Sequence, residues 1–244
     1  MSDERLGWAS LIVFVAFFIR ALTGFGAGLV AIPLLALMYP LPFVVPLQLL
    51  FELGISGLLL PKVWREVDWA QVGRVAAGML VGNVSGSFLL ASVAPEFLKT
   101  ALIVVVLLFS GYLAWIADRP AGFQIGRRWG VVFGLVGGVF GGAFGMSGPL
   151  VVLYLSCQSM RKEVLRASLI GLFGIGSIWT LTAHSFNGLY SVETFRVAVW
   201  LLPAFLLATW LGHRAHLRVS EVLFRRVVAG ILLLAGLLLA GAGI

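Results

Sequence analysis

Two glycine-dense clusters are where this chain could do chemistry: Gly24-Phe25-Gly26-Ala27-Gly28, and the run from Gly137-Gly138 through Gly141-Gly142-Ala143-Phe144-Gly145-Met146-Ser147-Gly148-Pro149. Each lies inside a long apolar stretch. Glycine costs about 1 kcal/mol and proline about 3 against alanine in a helix interior, so the clusters predict interrupted helices. Close helix packing is the competing use of the same residues. A helix restarting after a break presents backbone amides with no intrahelical acceptor, and glycines let a ligand approach them. Together these make a natural anion site. Pro33 lies just beyond the first break, and Pro149 suits the first turn of a restarted helix. Ser147 is expected either to cap that helix or to donate to an anion. Phe25 and Phe144 are candidate walls of the site, with plain apolar packing as the alternative.

Charged groups inside apolar segments narrow the chemistry further. Arg20 ends the run Leu11–Ile19, four positions before the first break. A charge inside lipid costs at least ~2.5 kcal/mol, so such a residue faces protein or water. Its candidate roles are attraction of an anionic substrate, pairing with Glu52, or snorkelling to an interface. Glu52 is the lone acid of its segment and a proton-coupling candidate, or else only the counter-ion of Arg20. Gln48, one turn earlier, and Asn83 are candidates for lining a path. Ser85, Ser87, Thr180 and Thr182 suit interhelical hydrogen bonds equally well. His184 is a second, weaker proton-coupling candidate, whereas His213 and His216 fall in a basic loop.

The elements that must position these groups are membrane helices. Of 244 residues, 61% are hydrophobic and 11% charged, and the mean hydropathy is +1.07. A soluble domain carries roughly 25% charged residues, so soluble, coiled-coil and disordered classes are excluded. The net charge of +7 is scattered among short loops, which favours topology and anionic-lipid contacts over a nucleic-acid partner. Cys157 stands alone, leaving no intrachain disulfide or thiolate metal cluster. The first apolar stretch reads as a mature segment and not as a signal peptide. No HExxH, CxxC, Walker or GxSxG motif is present.

Hydrophobic segments run over 8–38, 43–60, 72–92, 97–117, 129–157, 164–183, 194–212 and 222–240. The first and fifth would exceed about 40 Å as straight helices. If every segment crosses once, basic loop residues divide evenly, against the positive-inside rule. If the two long segments turn back at their glycines, one face holds thirteen: Lys62, Arg65, Arg74, Arg119, Arg127, Arg128, Arg161, Lys162, Arg166, Arg214, Arg218, Arg225 and Arg226. The other keeps Arg5, Lys99 and Arg196. This predicts two hairpins, either re-entrant or complete crossings, and both termini on the non-cytoplasmic side.

An internal repeat agrees. Phe25-Gly26 aligns with Phe144-Gly145, Glu96 with Glu221, and Gly111 with Gly236. The expected fold is all-α and polytopic, with two inverted repeats over 1–118 and 119–244. Each repeat is a glycine-broken hairpin followed by three transmembrane helices, an architecture found in many secondary transporters.

The stretch Thr23-Gly24-Phe25-Gly26-Ala27-Gly28-Leu29-Val30-Ala31-Ile32-Pro33-Leu34-Leu35 resembles the first glycine motif of the TauE/SafE sulfite-exporter family. The run 137–149 resembles its second motif, and Val67-Asp68-Trp69 the connector between them. Met146-Ser147 departs from the common pattern, where further glycine is usual. The resemblance implies an inner-membrane permease for sulfite, or for organosulfur compounds such as sulfonates. By position it assigns Gly24, Phe25, Gly26, Gly28, Gly141, Gly142, Phe144, Gly145 and Gly148 to the motif, with Pro33 and Pro149. Met146 and Ser147 complete the candidate substrate-binding set with Arg20. Expected partners are a small sulfur-containing anion, protons, anionic lipids and a second copy of the chain as a candidate homodimer. No cofactor or metal is expected. A passive anion channel and an intramembrane lipid-modifying enzyme are the competing classes.

Overall fold

The computed structural model describes residues 3–116, 125–158, 160–215 and 221–241. Among them are ten α-helices: α1 (Asp3–Thr23), α2 (Ala27–Ala36), α3 (Leu41–Val63), α4 (Trp69–Ser92), α5 (Pro95–Ile116), α6 (Trp129–Phe144), α7 (Gly148–Ser156), α8 (Lys162–Phe186), α9 (Val192–Ala215) and α10 (Glu221–Gly241). A 3₁₀ turn, Trp64–Glu66, follows α3. The expected connectors at 118–122 and Ser159, the boundary between the two halves, His216, Arg218 and the Ser220 end of the repeat alignment lie outside the described residues. Six stretches, in α1, α3, α4, α5, α8 and α9, are long and apolar enough to cross a membrane. The chain is an all-α, multi-pass membrane protein. Large apolar side chains such as Phe97, Leu108, Val199 and Trp200 stand exposed on α5 and α9, as a lipid-facing surface requires.

Both long apolar segments break. The first does so over Gly24–Gly26, where Gly24 and Gly26 take φ of 88° and 98°, a left-handed backbone that only glycine adopts cheaply. The second breaks over Gly145–Ser147, with Gly145 at φ 61°. This break is shorter than the glycine cluster predicts: Gly137, Gly138, Gly141 and Gly142 remain inside α6. After each break the chain comes back. Burial raises the Tyr39 phenol above its usual range, and the nearby charge of Arg5 partly offsets this, so the end of α2 lies near the start of α1. At the other hairpin, Tyr154 donates to the Arg127 carbonyl (3.0 Å) and the Gln158 amide to that of Ile125 (2.8 Å). Those bonds tie the end of α7 to the residues preceding α6.

The glycines of α6 that do not break the helix serve packing. Gly134, Gly138 and Gly142 face α4, and Gly78, Gly82 and Gly86 of α4 face α6, each one turn after the last. A Cβ at Gly82 would overlap the Leu135 carbonyl oxygen, and one at Gly138 would lie 2.5 Å from that of Met79. The two backbones therefore touch directly, through Cα–H···O contacts worth about 0.5–1 kcal/mol each. The contact of α1 with α9 combines a glycine with rings: a Cβ at Gly212 of α9 would lie 2.6 Å from the Phe18 carbonyl oxygen, and Phe17 meets Phe205 of α9 edge-on at 5.1 Å and Phe51 of α3 at 5.7 Å. α3 packs on α8 and α5 on α10, where Ser110 donates to the Ala229 carbonyl at 2.8 Å.

Gly82→Ala should therefore lower stability by about 1–3 kcal/mol through overpacking. Thermal unfolding in detergent measures this, and an unshifted midpoint would mean that α4 and α6 separate at no cost.

Candidate functional site

The two breaks meet. A Cβ at Gly28, in the first turn of α2, would overlap the carbonyl oxygen of Gly145. One at Gly145 would overlap the Ile32 side chain of α2. Beside this contact lies a cavity of about 50 Å³, room for on the order of three waters or one small oxyanion. Of the residues expected from sequence, Arg20, Gly26, Gly28, Gln48, Glu52, Asn83, Gly145, Met146, Ser147 and Gly148 line it. The structure places the others around it. Gly24 lends its carbonyl to Arg20, and Phe25 lies against Gly148. Gly142 packs on α4, and Phe144 is buried in the core beside Phe140. Pro33 sits within α2, and Pro149 occupies the first turn of α7 as expected.

A helix break ordinarily sets a negative C-terminus against a positive N-terminus, and the two fields oppose each other. Here the carbonyl ends are neutralised. At the end of α1, Arg20 donates to the Gly24 oxygen and Arg166 to that of Ala21 (2.8 Å). At the end of α6, the amides of Gly145 and Met146 return to Gly141 and Phe140. The His184 ring donates from Nε2 to the Gly142 oxygen at 3.0 Å. The starts of α2 and α7 receive no such treatment. Neither Gly26 nor Ser147 makes a side-chain cap hydrogen bond. The hydroxyl of Ser147 thus does not cap α7 and stays with the cavity, which Ala27, Gly28 and Leu29 of α2 also line. What remains at the junction is the pair of helix starts whose first amides no side chain caps.

Arg20 is 1% exposed, which excludes snorkelling to an interface. Its Nε and Nη2 both donate to Glu52 Oε1, at 2.8 and 2.6 Å. Nη2 also reaches Ser56 Oγ at 3.4 Å, and the guanidinium lies 5.4 Å from the centre of the Phe173 ring. Asn83 is fully buried, donates to the Gly176 carbonyl at 3.4 Å, and leaves Oδ1 without a partner. Ser177 and Thr180 spend their hydroxyl protons on carbonyls of their own helix. They therefore offer only lone pairs to the cavity. His184 does not line it; this residue holds the second break from behind.

Sequence reasoning missed Ser56, Met79, Phe173, Gly176 and Ser177, and counted Arg166 as a loop cation. Phe173, Ser177, Thr180 and His184 follow one another at spacings of four, three and four, a single-face helical period that would have gathered them.

Comparison with known proteins now has a geometry to explain. The family model for the sulfite exporter TauE/SafE matches residues 9–239. The chain belongs to that family. It is also 28% identical over 220 residues to a protein of Cupriavidus necator named "Probable sulfite/organosulfonate exporter TauE", covering 88% of this chain and 86% of that one. No solved structure matches. Membership supports anion transport at the level of the family, and the two glycine motifs that marked the resemblance are the two breaks that meet at the cavity.

Two outcomes follow from this site. Glu52→Ala should destabilise the protein by up to about 3–5 kcal/mol by stranding a buried arginine, and Arg20→Ala added to it should recover part of that loss. A double variant no more stable than Glu52→Ala would show that the pair is not energetically coupled. Gly28→Ala should force the breaks apart and reduce anion-induced thermal stabilisation at least tenfold in apparent affinity. Wild-type affinity would remove the contact from the binding site.

Proposed function

We propose that the protein is a secondary transporter of small anions, with sulfite or an organosulfonate as its cargo, working by alternating access around the two breaks. The observation that supports this most directly is the cavity at which two uncapped helix starts and a glutamate-paired arginine converge. The named relative brings the candidate cargo. We read the protein as non-enzymatic, because the cavity is furnished with an ion pair, amides and self-bonded hydroxyls.

The inverted repeat, with halves at 1–118 and 119–244, is supported by the helix contacts. Exchange of the halves turns α1-on-α9 into α6-on-α4 and maps α3-on-α8 and α5-on-α10 onto themselves; α4-on-α8 is as extensive as α3-on-α8, and its counterpart α9-on-α3 is smaller. The short returning arms, α2 and α7, are about 15 and 13 Å long. That favours re-entrant hairpins over complete crossings. The basic ends of α3 and α8 then face the cytoplasm, with both termini opposite, in the inner membrane.

Arg20 links anion to proton. Its Nε and Nη2 both donate to Glu52 Oε1. An arriving oxyanion competes for the same guanidinium. Protonation of Glu52 removes the competing charge and frees Arg20 for the anion, so proton and anion bind together. The anion is then held by Arg20, the amides of α2 and α7, and the Ser147 hydroxyl. Alternation of the two halves about the Gly28–Gly145 contact exposes it to either side.

Flux into proteoliposomes against the anion gradient, driven by an imposed proton gradient, tests the reading; flux that only follows the anion gradient would make the protein a channel. For an anion of constant charge, apparent affinity should rise as pH falls. Glu52→Gln should flatten that profile, and an unaltered profile would exclude Glu52 as the coupling site.

A further inference from the structure

Helix α8 measures depth through the protein. Arg166 packs at the first break, where its Cγ would lie 3.0 Å from a Cβ at Gly24. Phe173 lies under Arg20, Ser177 and Thr180 line the cavity, and His184 reaches the second break. At 100° per residue, Arg166, Phe173, Ser177, Thr180 and His184 fall within about 60° of one another, so they form one stripe along the whole helix. Arg166 stands about 10 Å along this stripe from Phe173, on the side where α8 begins with Arg161 and Lys162.

The surroundings of Arg166 differ from those of Arg20. One nitrogen, Nη2, donates to the Ala21 carbonyl. Its Nε is buried and has no hydrogen-bond partner. Among the described residues no carboxylate lies within ion-pairing distance. The charges that act on it are the like charge of Arg20 and, from the 3₁₀ turn, that of the exposed Glu66. A half-buried guanidinium with an unspent donor and no close counter-ion is costly in a membrane protein. Capping Ala21 explains one of its hydrogen bonds, but a neutral donor would do the same without that cost.

We infer that Arg166 is a second anion station, which holds the transported oxyanion between the basic face and the break cavity. This deepens the transport reading and rests on it. The anion supplies the negative charge that Arg166 lacks, and because its Nε is buried, the side chains packed at the first break must move aside for the anion to reach it. It then moves along the α8 stripe, past Phe173, to Arg20. With Arg20 already held by Glu52, Arg166 is, of the two arginines at the first break, the one without a carboxylate partner among the described residues, and it receives the anion first.

The test uses Arg166→Cys in a Cys157→Ser background, reconstituted in proteoliposomes with thiosulfate as the probe anion. Arg166→Cys should raise the KM for thiosulfate about tenfold when it is presented to the face bearing Arg161 and Lys162. From the opposite face the change should stay within about twofold. Attachment of a cationic aminoethyl methanethiosulfonate group should restore the KM, a neutral methyl group should not, and thiosulfate should slow the labelling. Equal KM on both faces, equal recovery with both reagents, or labelling indifferent to thiosulfate would each overturn the assignment. If Arg166→Cys does not fold, Arg166→Lys and Arg166→Gln take its place: only the lysine variant should keep the KM, and matching values in both would leave a structural cap. If the Cys157→Ser parent carries no flux at all, the transport reading itself fails. Arg166 then stands only if thiosulfate raises the Tm of the parent and not of Arg166→Cys.

Discussion

The contact between Gly28 and the Gly145 carbonyl sets what the rest of the structure must do. Two helix breaks inside a membrane are each expensive, because lipid offers no partner to the backbone groups they release. Brought together, they share one pocket, and each break helps seal the other from lipid. That approach is possible only because Gly28 has no Cβ and Gly145 accepts a left-handed backbone. The glycine-lined contact of α4 with α6 then has a clear purpose. It clamps α6, and with it the second break, against a fixed partner, while the aromatic contact of α1 with α9 supports the first.

The polarity of the junction follows from which backbone groups are satisfied. Arginine side chains and a histidine serve the carbonyl ends of α1 and α6, while the amide ends of α2 and α7 are left to the cavity. The same break with its amides capped and its carbonyls bare would attract cations. Sign selectivity is therefore a property of the capping pattern as much as of any one charged residue. Arg20 contributes to both sides of that balance, since one face of its guanidinium quiets Gly24 and the other holds Glu52.

Much of this was legible in the sequence, and for identifiable reasons. Breaks are written in glycine and proline, whose backbone costs are local, so Gly24, Gly26, Gly145 and Pro149 could be read without knowing any contact. Arg20 and Glu52 stood out because charge is scarce in apolar segments. Their pairing stood as one candidate among three, because choosing it depends on how α1 and α3 approach each other across 32 residues. The cluster from 137 to 149 was harder. Glycines that break a helix and glycines that let two helices touch have the same spacing, and only the partner helix separates Gly138 from Gly145. Arg166 was hidden by its neighbours: it follows Arg161 and Lys162 closely enough to count as loop charge, although it lies inside α8.

An anion carrier has a difficulty when it is empty, because the cation that will hold the cargo must remain buried without it. On the proposed reading, the Arg20–Glu52 pair meets that difficulty by giving the guanidinium an internal anion that the cargo can displace. Removing either charge alone would strand the other, and the displacement exposes a carboxylate to a cavity next to a newly arrived negative charge. Two like charges in so small a space repel, and a proton that binds with the anion cancels that repulsion. On the proposed reading, proton coupling therefore needs no separate proton site. It is the consequence of storing the empty carrier with its arginine paired.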